Sequence, residues 1–338
     1  MLGVNIVELV NLPLIWGVII LIAAFMYVAL DGFDLGVGIL LVFAPNASSR
    51  DTMIKSISPF WDGNETWIVM TAGGLLAVFP LAYGVIMTAL YVPTIIMLLA
   101  LVLRGVSIEC RYKATVGGKA KWDYICYFAS LLAVVMQGII FGALIRGIVT
   151  KNGIFVGHML DSFNLFTIGI AVIFIFQYVL LGATWVVMKS SGSTQAWGRN
   201  ITQYASLTLA VLSLCTIFIV IMKKYHLLYD IKYIAILICC TCDLVIQVLL
   251  GFVLSKRENV VCGLFWLAEL TLFIKFATFI IQIWPWVVPY SISVYDAAAD
   301  PKSLSFLLVG TLVLLPMILC YTAYSYHVFR GKCDEKRK

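Results

Sequence analysis

Four acids carry the chemistry that this sequence offers. Asp31 and Asp34 stand in "YVALDGFDLGVGIL" (Tyr27–Leu40), inside an apolar run from about residue 14 to 43. Asp62 and Glu65 stand in "SPFWDGNETW" (Ser58–Trp67). Each pair has i, i+3 spacing, which sets two carboxyls on one face of a helix. A charged side chain at the centre of a membrane helix costs about 2.5–3.5 kcal/mol on insertion scales, and such residues usually face a protein interior or a wet cavity. Buried acids of this kind exchange protons when burial and neighbours tune them, or they anchor a partner. A plainer account stands beside each. Asp31 and Asp34 are also explained as charges near the interface, paired with an arginine such as Arg104. Asp62 is also explained as a helix-start acid stabilised by the helix dipole.

The other polar residues in apolar segments point to packing. Asp243 with Gln247 (i, i+4), Glu269, Lys275, Gln137 and Gln177 read as interhelical glue. Glu269 and Lys275 are expected to form ion pairs with each other or with neighbours. Gly32 and Gly36 form G-x-x-x-G, which lets another helix come close to the same region. Trp61 and Trp67 fit an interfacial belt. The chain has three histidines: His158 and His226 fall in loops and His327 lies near the end of the last apolar run. With no histidine mid-span, axial haem ligation by this chain is disfavoured. Most of the nine cysteines lie in apolar segments, where small residues commonly pack helices. No zinc or iron–sulfur ligand pattern, phosphate-binding loop or nucleophile–His–acid arrangement is legible.

The elements that must position these acids are set by composition. The chain is 62% hydrophobic and 12% charged over 338 residues, against about half apolar and a quarter charged in soluble domains. Most of its length therefore needs lipid as solvent. Spans of about 20 apolar residues are expected at about 14–43, 123–146, 162–188, 201–222, 231–254, 262–284 and 304–329. Residues 67–103 are too long for one span and are expected to break near Pro80 and Gly84. The result is an all-α polytopic membrane protein of about nine transmembrane helices. The opening residues read as the outside end of the first helix, starting near Pro13, and not as a secretory signal. Lys and Arg crowd the loops at about 44–58, 104–122, 189–200 and 255–260 and the C-terminal tail, which predicts N-out, C-in. Asp31 and Asp34 then lie in the cytoplasmic third. Topology and anionic lipid account for the net charge of +6, which gives no support for nucleic-acid binding.

With these residues in hand, the sequence resembles subunit II of the cytochrome bd-type quinol oxidases. "LDGFDLGVGIL" resembles that family's first-helix motif and "SISPFWDGNETWIVMTAGGLLAVFP" its second-helix signature. "LRGVSIECRYK", "LGATWVVMKSSG" and "YDAAADPKSLSFLLVGTLVLLPMILCYTAYSYHVFRGK" continue it in order over nearly the whole chain. The resemblance implies a multi-pass protein of the bacterial cytoplasmic membrane, in a heterodimer with subunit I. The partner carries two b-type haems and haem d, oxidises quinol and reduces dioxygen to water; this chain binds no haem and no metal directly. It implies two four-helix bundles (about 14–146 and 162–284) plus one peripheral helix (about 304–329), in a single membrane domain of residues 1–338. Some members hold a structural quinone against this subunit, for which Trp61 and Trp67 are the implied contacts, and a small accessory membrane subunit is a further implied partner. The resemblance also implies cytoplasmic proton uptake at Asp62, with Glu65 beside it. Asp31 and Asp34 are implied to serve the partner interface, haem stability in subunit I, or the proton path.

Two readings of other classes compete. A proton-coupled secondary transporter would use paired intramembrane carboxylates, but it predicts inverted repeats and broken helices at a midplane site. A purely structural scaffold subunit fits everything except a measured effect at Asp62.

Overall fold

The computed structural model describes residues 11–224, 230–257 and 259–333. The chain runs through α1 (Leu12–Leu40), α2 (Ala47–Ile57), α3 (Trp61–Val78), α4 (Pro80–Ala89), α5 (Tyr91–Lys113) and α6 (Val116–Arg146). A small hairpin of β1 (Thr150–Lys151) and β2 (Ile154–Phe155) leads to α7 (Leu165–Lys189), α8 (Gly192–Lys224), α9 (Ile231–Leu249) and α10 (Cys262–Ile283). A second hairpin of β3 (Trp286–Val288) and β4 (Ile292–Ser293), the single turn α11 (Val294–Ala297) and α12 (Pro301–Val328) complete it. Among the described residues, eight helices are long and apolar enough to cross a bilayer: α1, α5, α6, α7, α8, α9, α10 and α12.

The expected break after residue 67 is found, with one correction. Helix α3 stops at Val78, and Pro80 starts α4 after Phe79 leaves helical geometry (φ −125, ψ 61). The expectation of two pieces overlooked Pro93. A proline inside a helix lacks the N–H and clashes with the carbonyl four residues back, here that of Ala89, and the helix breaks again at Leu90 (φ −110, ψ 21). The segment is therefore three pieces, and the first begins at Trp61. At the first break the Val78 carbonyl accepts a hydrogen bond from the Ala299 amide (2.8 Å). A backbone group freed at this depth needs such a partner.

Other bounds move because polar residues extend helices beyond the bilayer. Helix α6 begins at Val116 and α8 at Gly192, several residues before their apolar runs. The loop after α1 contains α2, capped by Asn46, whose side chain accepts from the Ser49 amide at 2.8 Å. Helix α1 starts at Leu12 with Pro13 in its first turn, under an Asn11 cap. His226 and the tail residues Lys336, Arg337 and Lys338 lie outside the described residues.

The core is organised around α1. Every residue from Asp31 to Leu41 is buried, against α3, α6 and α7. Backbones come together where side chains vanish: a Cβ on Gly36 would lie 1.8 Å from the Tyr178 carbonyl oxygen, and one on Gly182 would lie 2.4 Å from the Gly36 carbonyl carbon. Close approach at small residues is the usual means of packing helices in lipid, where apolar burial drives little. The same device joins α6 to α7 at Gly138 and Ala171.

The loops sort to two ends. Tyr290 meets Gly147 and the Ile145 carbonyl, while Thr150 bonds Ser291. These are loops that the charge count places outside. At the other end Arg111, Lys119, Asp51 and Asp123 interlock, and Arg199 bonds the carbonyls of Ser255 and Arg257. Helix α12 stands apart; Leu304 is its one fully buried residue.

Candidate functional site

The acids meet at the C-terminal half of α1. Asp31 and Asp34 are each 0% exposed and so is Arg104, which α5 brings to them. Arg104 Nη1 lies 2.7 Å from Asp31 Oδ1, and Nη2 pairs with Glu65 Oε1 at the start of α3. Asp34 is held differently. Asn64 Nδ2 donates to Asp34 Oδ2 at 2.7 Å and to the Leu30 carbonyl at 3.1 Å. The acceptor end of the same amide takes a hydrogen bond from the Tyr326 hydroxyl of α12 at 3.1 Å. One guanidinium therefore serves two acids, and an amide serves the third. Buried charges persist in this way, through pairing and charge-assisted hydrogen bonds.

Deeper along α1, Tyr27 accepts from Gln137 Nε2 at 2.6 Å, and Tyr178 donates to Gln137 Oε1 at 2.8 Å. This Tyr–Gln–Tyr bridge ties α1, α6 and α7. Toward the C-terminal end of α5, Arg111 lies two turns beyond Arg104 on the same face of the helix. It pairs with Asp123 of α6 and, at 2.8 Å, with Asp51 of α2, which Lys119 also reaches at 3.2 Å. Burial opposes ionisation of Asp51, but the hydrogen bonds from Arg111 and Lys119 outweigh it and hold this carboxyl below its usual range. Arg50 lies 3.6 Å from Asp123.

Asp62 differs from its neighbours. It lies in the first turn of α3 and is exposed. Together with Thr66, Val69, Gly73 and Leu76 it forms an exposed stripe at helical spacing. A Cβ on Gly63 or Gly73 would meet nothing within 4 Å. Trp67 lies on the opposite face, 1% exposed. Trp61 is half-buried over Gly105 of α5, where a Cβ would lie 2.7 Å from its ring. Neither tryptophan lines the apolar cleft of about 260 Å³ between α1, α3 and α12, which Trp16, Ile20, Met70, Gly74 and Leu307 help to form.

The structure thus joins Asp31 and Glu65 through Arg104, sets Asp34 beside them on Asn64, and leaves Asp62 on the surface. Asp31 pairs with Arg104, as the plainer account has it. Glu269 and Lys275 do not pair with each other: Lys275 Nζ meets Asp243 Oδ1 at 2.6 Å, where Ser213 and Gln247 also bond the carboxylate. Glu269 makes no ion pair or hydrogen bond among the described residues. Gln177 bonds Thr271 of α10, in keeping with a packing role. Sequence reasoning missed Asn64, Tyr326 and the Arg111–Asp123–Asp51 cluster. The seven-residue spacing of Arg104 and Arg111, two turns of one helix, was the available signal for the cluster. No spacing joins Tyr326 to Asn64. No group of three or more His, Cys, Asp or Glu side chains among the described residues is arranged to hold a metal ion.

Comparison with known proteins agrees with this architecture. Residues 12–329 match the family model described as cytochrome bd terminal oxidase subunit II. The chain is 27% identical over 336 residues to cytochrome bd ubiquinol oxidase subunit 2 of Bacillus subtilis, covering 95% of this chain and 97% of that one. It is 26% identical over 364 residues to cytochrome bd-I ubiquinol oxidase subunit 2 of Escherichia coli K12, covering 96% of each. The fold matches a chain from the structure of bd oxidase from Geobacillus thermodenitrificans with a TM-score of 0.76 at 8% identity, covering 94% of this chain and 98% of that one. The family model spans nearly the whole chain and contains every residue of the acid network, so this multi-pass bacterial membrane protein belongs to the cytochrome bd terminal oxidase subunit II family, as part of a quinol oxidase complex.

Proposed function

We propose that this chain is the haem-free subunit of a quinol oxidase that reduces dioxygen to water, and that it supports subunit I and helps to deliver cytoplasmic protons. The haems b and d, and the quinol site, then belong to the partner. In keeping with this, His158 lies in a loop and His327 in the last turn of α12.

The observation that carries the proton reading is the placement of Asp62. It is a solvent-facing acid at the mouth of a stripe that descends α3, one turn from the half-buried Glu65, which leads to the buried Arg104, Asp31 and Asp34. Three acids stand against a single guanidinium, which pairs with two of them, so the charge of the set balances only when protons or a partner's cation make up the difference. In the proposed route Asp62 takes a proton from the cytoplasm and passes it to water held between the α3 stripe and subunit I. The enclosed set holds α3, α1 and α5 in register, and the charge on Asp34 is part of the field that this proton meets. The partner's place is argued from the same surfaces: α3 exposes small residues, and α12 buries almost nothing within this chain. A helix with so little burial is completed by lipid or by another chain.

A structural quinone fits only part of its proposed site. Trp67 is enclosed and cannot touch a headgroup, which leaves Trp61 as the contact. Among the described residues no feature favours a small accessory subunit.

The test is Asp62→Asn in the assembled complex, with turnover measured at unchanged haem content. A clear loss supports the proton role. Wild-type turnover overturns it in favour of a purely structural subunit.

A further inference from the structure

We propose that Tyr326, on the last helix, is a positioning residue for Asp34 and acts through the amide of Asn64. The proposal rests on the proton reading above for its functional consequence, and on geometry alone for its contacts. An amide has a donor end and an acceptor end, and both must be satisfied when it is buried. Asn64 is 2% exposed. Its NH2 spans Asp34 Oδ2 (2.7 Å) and the Leu30 carbonyl (3.1 Å), and its oxygen is filled by the Tyr326 hydroxyl (3.1 Å). Among the described residues no other side chain donates a hydrogen bond to Asp34. The orientation of one amide therefore decides whether Asp34 faces a donor or a carbonyl oxygen, and α12 supplies the group that fixes the acceptor end.

The rest of this end of α12 is tied down by packing and backbone contacts. The Tyr326 ring stacks on Phe60 with centroids 4.4 Å apart and an interplanar angle of 20°. One turn later, Lys189 Nζ, itself packed over the Trp185 ring at 5.0 Å, donates to the Phe329 carbonyl at 2.5 Å. The Cys333 amide then donates to the Lys189 carbonyl at 2.9 Å. A helix with a single fully buried residue is thus latched at one end, where it touches the acid network. The charged and titratable groups facing Asp34 are Asp31 on α1, Glu65 on α3, Arg104 on α5 and Tyr326 on α12, with Glu269 of α10 near Tyr326. A displacement of α12 by whatever packs on it would reach Asp34 through Tyr326 and Asn64, two side chains away.

Two variants test this in the assembled complex. Tyr326→Phe keeps the ring stack and removes only the hydroxyl, whereas Phe60→Leu removes the stack and keeps the hydroxyl. The expected result is full haem content in both, with the pH profile of oxidase turnover displaced by about half to one pH unit in Tyr326→Phe alone, the scale of one hydrogen bond. A Tyr326→Phe profile superimposable on wild type overturns the proposal. So does an equal displacement in Phe60→Leu, which would assign the effect to packing. Loss of haem from Tyr326→Phe also overturns it, by making the hydroxyl an assembly contact. Asp62→Asn run alongside separates the two failures. If only the positioning role is wrong, Asp62→Asn remains impaired; if the proton reading is wrong, Asp62→Asn and Tyr326→Phe both turn over as wild type does.

Discussion

Arg104 and Asp31 form an ion pair at 2.7 Å with both side chains closed off from the surroundings. They come from α5 and α1, so the pair is a tertiary contact and not a local one. A buried pair of this kind adds little net stability when compared with apolar residues of the same shape, but breaking it leaves one charge without a partner.

Arg104→Gln is therefore expected to destabilise the subunit by about 3–5 kcal/mol, read as a lower melting temperature and lost haem in the complex. The double variant Arg104→Gln with Asp31→Asn should recover part of that loss, because the fully enclosed Asp31 charge is no longer stranded and only the half-buried Glu65 is left without its cation. A double variant no better than the single one would show that the pair is not the source of the cost.

Gly36→Ala should disrupt the contact of α1 with α7. The new methyl group would lie 1.8 Å from a backbone oxygen, which cannot rotate away as a side chain can. Overpacking commonly costs about 1–3 kcal/mol, occasionally more, and a collision with backbone belongs at the upper end. Gly84→Ala is the control, since a Cβ there meets nothing within 4 Å. Thermal melting of both variants in detergent gives the comparison, and equal melting temperatures would refute the packing argument.

Asp51 gives a pH dependence whose sign follows from its partners. Its folded-state ionisation lies below the usual carboxylate range because Arg111 and Lys119 hold the charged form. Stability from this contact is therefore present above the ordinary carboxylate range, and is lost as pH falls through the depressed folded value. Asp51 is more than a third exposed, so solvent screening keeps the effect small. Protection of α2 amides from hydrogen exchange, taken relative to the intrinsic rate at each pH, should fall at acid pH in the wild type, and Asp51→Asn should lower it already at neutral pH. An α2 whose exchange is the same in the two proteins would remove Asp51 as the link.

Much of the architecture was legible in the sequence because lipid is a strict solvent. Each of the seven apolar runs expected to span on its own lies on one of the eight observed membrane-length helices, since hydrocarbon leaves the backbone no alternative partner. Pro80 marked a true break. Pro93 was passed over because it sits in an apolar stretch where length alone suggested continuity. Helix ends at α6 and α8 were misjudged by several residues because hydropathy marks the bilayer and not the helix.

The acids were legible for the same reason: Asp31, Asp34, Asp62 and Glu65 stand out where charge is costly. What each one touches was not. Asp31 and Asp34 look alike in sequence, three residues apart on one face, yet one meets an arginine and the other an amide. Asp243 was read with Gln247 from spacing, but its strongest partner, Lys275, lies 32 residues away on another helix.

By itself the sequence determined which segments must enter lipid, which acids had to be sheltered, and the family that shares these motifs. Tertiary structure alone decided the pairings: Arg104 with Asp31 and Glu65, Asn64 with Asp34, Tyr326 with Asn64. Helical spacing fixes the face on which a residue stands. Which neighbour faces it depends on where backbones can approach, and here glycines at Gly36 and Gly182 set that approach from opposite halves of the chain.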